Sequence, residues 1–262
     1  MRKKWCFATT LAAIALFLLI VPLGNLKTIG VQLISASDTI VLDAGHGGID
    51  GGAVSMSGVM EKNINLAIAQ EVSALAAADG WNVVMTREKD KGLYSDVIGD
   101  GTDAVEIKNK RSIRSLKTED LKERVKVIEK EKPLVAVSIH LNSFKQDRSV
   151  HGAQTFYPKG IADKSIEEES KRLAECIQEE IIKGMQDGTE RAALGKKDVL
   201  LFKKPSAPTV IVECGFLSNR EDETKLQDPE YQKKIAAYIY EGILKYTGRE
   251  RKENLKILDN RG

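Results

Sequence analysis

The stretch that most constrains this chain is Thr39 to Ala53, TIVLDAGHGGIDGGA. A short apolar run stops at an acid. One histidine, His46, then sits in a loop with five glycines. An apolar run that short reads as a buried strand, and glycine lets the backbone behind it turn tightly or come close to a ligand. The loop lacks the spacing of the common phosphate-binding glycine motifs. Its glycines read instead as clearance for a bulky substrate, and His46 as a side chain presented to it.

The following segments supply partners for that loop. Glu61 precedes a helical pattern over Asn63–Asp79, with Gly80 as its stop. Trp81–Thr86 reads as a second strand, and strand–helix–strand favours a parallel pair. Glu88–Lys117 is polar and glycine-containing and reads as a partly disordered or substrate-contacting insertion. Helical spacing resumes over Thr118–Lys130 through Leu121, Val125 and Ile128, with Thr118 as N-cap. PLVAVSIHL is a nearly continuous apolar run, which fits a strand covered on both faces. Strands are also expected at Gly152–Tyr157 and Pro208–Cys214. Amphipathic helices are expected over Ile166–Met185 and Asp228–Tyr246, the last closed by Gly248.

The expected architecture is one α/β domain over 38–248, with a twisted, mostly parallel or mixed sheet flanked by helices. A charged tail from Arg249 is expected to fray. Ahead of the domain, Arg2, Lys3 and Lys4 precede 19 residues without a charge, Trp5–Leu23. Residues 1–37 therefore read as a signal peptide or membrane anchor that sends the rest out of the cytoplasm. Beyond residue 37 there are 36 basic and 38 acidic residues, so bulk charge gives no support to nucleic-acid binding. The three cysteines, Cys6, Cys176 and Cys214, form no CxxC pair, which argues against a cysteine metal site. Cys176 and Cys214 read as buried thiols, with a disulfide as the alternative.

Three polar residues occupy matching places. His46 follows the first strand, His140 ends the run LVAVSI, and Glu213 ends the run TVIV. Parallel strands would gather them at the carboxyl edge of the sheet, where open α/β folds place ligands. Glu61 can reach the same edge. Two imidazoles and a carboxylate suit zinc with a fourth position left open. Glu213 alone could instead be a buried ion pair, and Glu61 alone a helix-front acid. His151, in SVHGAQ, reads as structural or peripheral.

VLDAGHGG at 41–48, Glu61 before a helix, SIHLNS at 138–143 and VECGFLSN at 212–219 come in a specific order. Together they resemble the zinc-dependent N-acetylmuramoyl-L-alanine amidases of the third amidase type, over about residues 38–247. Within that family the chain looks most like the spore-cortex, germination-specific subgroup.

The resemblance implies zinc held by His46, Glu61 and His140, with Glu213 as catalytic acid/base. It implies peptidoglycan as substrate, cut between N-acetylmuramic acid and L-alanine. In the subgroup this leads, through a partner deacetylase, to muramic-δ-lactam. Some clostridial relatives use an accessory lipoprotein. Arg124 matches a recurring arginine, expected to brace the sheet or an acidic neighbour. Competing readings are another zinc amidohydrolase, such as a sugar deacetylase or stem-peptide peptidase, and a silent wall-binding regulator.

Overall fold

The computed structural model describes residues 38–94, 97–98, 106–107 and 112–251. The expected export or anchor segment lies outside them. Among the described residues no helix is long and apolar enough to cross a membrane.

The strands are β1 (Thr39–Ala44), β2 (Asn82–Met85), β3 (Val97–Ile98), β4 (Glu106–Ile107), β5 (Val135–Asn142), β6 (Gln154–Pro158), β7 (Leu194–Lys196) and β8 (Thr209–Phe216). The helices are α1 (Glu61–Ala78), α2 (Ile113–Glu131), α3 (Lys164–Met185), α4 (Arg220–Leu226) and α5 (Pro229–Thr247). Six strands form one mixed sheet in the order β2-β1-β5-β8-β6-β7. β2, β1, β5 and β8 run parallel, and β6 joins β8 antiparallel. β3 and β4 form a separate antiparallel pair inside the polar insertion.

Alternation divides the core. Ile40, Leu42 and Ala44 of β1 join a large cluster with Ile68 and Val72 of α1, Leu173 and Ile177 of α3, and Ile235 and Ile239 of α5. Val41 faces the other side, with Ala136, Ile211, Phe202 and Ile128 of α2. Both faces of β1 are thus covered, which is why TIVLDA is buried throughout.

Helix ends follow local chemistry. Asp163 accepts from Ser165 N and Ile166 N to start α3. Asp228 caps α5 with Pro229 at its first position, and Gly248 closes it at φ 69°. The start of α2 differs from expectation. Ser112, not Thr118, is its N-cap, and the Thr118 hydroxyl donates to Arg114 O within the helix. The buried stripe is Leu116, Asp120, Arg124 and Ile128, while Leu121 is exposed. Two charged residues in the middle of that stripe hide its period.

Most of the charged tail expected to fray, residues 252–262, lies outside the described residues, and Arg249 at its start is packed. The Arg249 guanidinium lies 3.8 Å from the centre of the Trp81 ring and pairs with Asp38, just ahead of β1. Cys176 and Cys214 are free thiols, Cys214 fully buried.

α3 and α5 meet at Gly242, where an added Cβ would lie 2.4 Å from Ile177 Cα. Backbone cannot yield there as a flexible side chain can. Gly242→Ala should therefore destabilise the domain by about 1–3 kcal/mol. Chemical denaturation checks this, and an unchanged midpoint would contradict the close helix contact.

Candidate metal centre

β1 leaves the sheet at Ala44, and its carbonyls must find new partners. Two buried arginines supply them. Arg124 donates from Nη1 to Ala44 O (2.7 Å) and from Nη2 to His46 O (2.6 Å). Arg87 donates from Nε to Ala44 O (2.8 Å) and from Nη2 to Gly45 O (3.1 Å) and Lys62 O (2.7 Å). His46 itself sits at φ 60°, a left-handed conformation that non-glycine residues rarely hold without such support.

Arg124 is anchored in turn. Nη1 pairs with Asp43 Oδ1 and Nε with Asp120 Oδ2, each at 2.6 Å. It braces both the strand end and an acidic neighbour. Asp43 also accepts from Ser138 Oγ (2.5 Å) and Thr86 Oγ1 (2.7 Å). Burial pushes the Asp43 carboxyl up, but Arg124 and Ser138 outweigh it and hold the group well below the usual carboxylate range. Burial, then the charge of Arg124, lowers Arg87 to about 10.

The side chains of His46, Glu61 and His140 converge, with one donor atom from each lying within 4.8 Å of the others. Glu61 Oε1 is 3.0 Å from His140 Nδ1 and 3.3 Å from His46 Nε2. Tetrahedral ligands on one zinc ion sit about 3.3 Å apart, so these spacings fit such an ion. Glu61 is the first residue of α1. Its Oε1 also accepts from Leu141 N (2.9 Å) and Asn65 Nδ2 (3.1 Å), and its Oε2 from Ala53 N (2.7 Å). Burial opposes the charged carboxylate, yet the bonds to His140 and His46 hold Glu61 far below its ordinary value.

Asp50 is a participant that the motif reading missed. Its Oδ2 lies 2.9 Å from His46 Nδ1, which leaves Nε2 for the centre. Lys117 Nζ of α2 holds Asp50 Oδ1 at 2.7 Å. Burial would lower the pKa of His46, but bonds to Asp50 and Glu61 raise it to about 9. Metal binding there would displace a proton. The signal for Asp50 was present in the sequence, an acid four residues after the histidine in the same loop.

The glycines serve this packing rather than a substrate strand at two positions. A Cβ on Gly45 would lie 2.2 Å from His140 Cε1. One on Gly52, at φ 71°, would lie 2.5 Å from Glu61 Oε2 and 2.7 Å from His46 Cδ2.

Glu213 stands opposite His140 in the parallel β5–β8 register. Both strands run past these residues, to Asn142 and Phe216, instead of ending there. Part of Glu213 meets solvent, but Oε2 is buried and has no hydrogen-bond partner among the described residues. Burial raises its pKa, opposed by His140 and reinforced by Glu61. His151 lies apart from this group, with Nδ1 at 3.0 Å from Ser149 O.

A family model described as N-acetylmuramoyl-L-alanine amidase matches residues 40–245. The chain belongs to the N-acetylmuramoyl-L-alanine amidase family. It is 36% identical over 207 residues to a germination-specific N-acetylmuramoyl-L-alanine amidase of Bacillus subtilis, covering 79% of this chain and 78% of that protein. The CwlD amidase of Clostridioides difficile, solved in complex with the GerS lipoprotein, superposes with a TM-score of 0.72 at 40% identity. That match covers 80% of this chain and 98% of the other. The catalytic domain of CwlV, an amidase from Bacillus (Paenibacillus) polymyxa var. colistinus, gives 0.64 at 30% identity, over 81% and 99% of the two chains. This amidase thus shares fold and family with peptidoglycan-cleaving enzymes.

Removing the guanidinium should expose what it supports. Arg124→Met leaves Asp43 and Asp120 buried without their cation and should cost about 3–5 kcal/mol at neutral pH. Asp43 has a depressed folded-state pKa, so its contribution is present above the unfolded carboxylate range and is lost as pH falls through the folded value. The stability gap between wild type and variant should therefore narrow in acid. Urea titrations at pH 7 and pH 3 check both points.

Proposed function

We propose that this amidase is a zinc enzyme that cuts the amide between the lactyl group of N-acetylmuramic acid and the L-alanine of the stem peptide. His46, Glu61 and His140 would hold the metal, and Glu213 would be the acid/base. The observation that carries this is the buried oxygen of Glu213, without a partner among the described residues, together with three converging donors. A buried carboxylate oxygen without a partner is costly, and a water molecule at the centre is a fitting partner for it. Two imidazoles and one carboxylate are a zinc-type donor set with room for a further ligand.

Zinc, when bound, supplies a Lewis acid for the amide carbonyl and for water. The chain's own residues do the rest. Asp50 fixes the His46 ring through Nδ1, so that Nε2 faces the centre. Glu61 is fixed through both oxygens by the backbone. Glu213 accepts a proton from the attacking water and delivers it to the L-alanine nitrogen as the C–N bond breaks. Its raised pKa suits a group that must both take and give a proton.

Similarity to a germination-specific enzyme supports a role in the spore cortex, where peptide removal precedes deacetylation and muramic-δ-lactam formation. The lipoprotein complex of the clostridial relative supports an accessory lipoprotein as partner. The working location is outside the cytoplasm, with the basic-apolar N-terminus as export signal or anchor.

Mass spectrometry of digested peptidoglycan, with and without zinc, tests the reaction. Peptides with a free L-alanine amino terminus are expected, and released acetate instead would indicate a deacetylase. Glu213→Gln should keep the metal and lose about 10²–10⁴-fold in turnover. His140→Ala should lose the metal, read by elemental analysis. Near wild-type turnover in Glu213→Gln would remove Glu213 from the mechanism.

A further inference from the structure

At the carboxyl rim of the sheet, on chain that follows Glu213 and leads into Glu61, there is a cavity of about 730 Å³. Its walls come from three loops and the first turn of α4. Met56 and Ser57 belong to the loop that leads into Glu61, Arg148 to the loop after β5, and Leu217 and Arg220 to the passage from β8 into α4. Short links tie these walls to the site. Leu217 N donates to Asn142 O (2.9 Å), two residues past His140, and Phe144 N donates to Ser218 Oγ (2.8 Å).

The charges in the wall are unevenly matched. Glu221 is paired with Lys225 at 2.6 Å, and Glu223 accepts from Ser57 Oγ. Arg148 and Arg220 are both exposed; Arg220 is near enough to Glu223 to help lower its carboxyl, but neither arginine has a carboxylate within salt-bridge distance among the described residues. Arg148 Nη1 reaches only the Met56 thioether, a weak acceptor for a guanidinium. Leu217 and Met56 give the same cavity an apolar wall.

We propose that this cavity receives the stem peptide, with Arg148 and Arg220 taking its free carboxylates. This rests on the amidase reading and deepens it by naming which half of the substrate lies where. The argument is charge complementarity. In the intact substrate the lactyl carboxyl is consumed in the scissile amide and the amino sugars are N-acetylated, so the glycan there is neutral. Free carboxylates belong to the peptide. Guanidinium groups bind carboxylates through paired, charge-assisted hydrogen bonds. A wall of Met56 and Leu217 suits small apolar side chains such as the alanine methyl. The two arginines are specificity-determining residues that hold the leaving half of the substrate.

The test uses two disaccharide–L-Ala–D-Glu compounds that differ only in the two glutamate carboxylates, free in one and amidated in the other. The proteins are the zinc-loaded full chain and its Arg148→Gln/Arg220→Gln variant. Both positions are exposed, so the variant should fold. On the free acid the variant should raise KM by about tenfold or more with kcat unchanged. On the diamide it should match wild type. Arg148→Lys/Arg220→Lys should restore part of the loss. Calorimetric binding of the free acid to Glu213→Gln, with and without the arginine substitutions, should show the same tenfold change without turnover.

Equal losses on both compounds, or no loss on either, would overturn the inference and leave the amidase reading intact. A wild-type protein that cleaves neither compound nor native peptidoglycan would overturn that reading and the inference together.

Discussion

The contact between Asp43 and Arg124 is the one on which the site depends. A strand that turns out of a sheet leaves carbonyls facing inward, and burying them unpaired is expensive. Arg124 resolves this by spanning the strand end, the loop and α2 with one rigid planar group. A lysine could not replace it, because a single ammonium cannot direct donors along the separate lines of a guanidinium fork. The pair contributes less to net stability than its short distances suggest, since both charges are desolvated. Its role is to define one path for the chain from Ala44 to His46. Arg87 strengthens the same path from the other side.

With that path fixed, the remaining donors have little freedom. His46 is held by Asp50, which is held by Lys117. Glu61 is held by Ala53 N and Leu141 N, and His140 is fitted against Gly45. Each donor therefore has a supporting contact, and the loop between β1 and α1 contributes to all three. The loop glycines acquire a concrete meaning here. Side-chain atoms at positions 45 and 52 would occupy the volume of the site's own rings and carboxylate.

Much of this was legible in the sequence because the sheet is buried on both faces. Runs such as LVAVSI and TVIV can be little else than central strands, and polar residues beyond them must gather at one edge once the strands are parallel. His140 and Glu213 do meet on neighbouring parallel strands, but in a register that no pattern gave and within strands that run past them. The start of α2 did not follow. Its inward face sets two charged residues between apolar ones, because the charged ones are paired with each other and with β1 instead of being solvated. α4 (REDETKL) and the three-residue β7 carry too little apolar pattern to be seen. Which histidine nitrogen faces the centre depends on Asp50, and no spacing rule supplies that. The division of labour between Glu61 and Glu213 came from family resemblance, not from pattern.

The packing of Arg249 on Trp81 and its pairing with Asp38 has a mechanical consequence. It joins the first and last described parts of the domain at the amino-terminal rim of β1, one strand length from His46. The two ends of the described domain are thus held together at one rim, opposite the one that carries the metal donors.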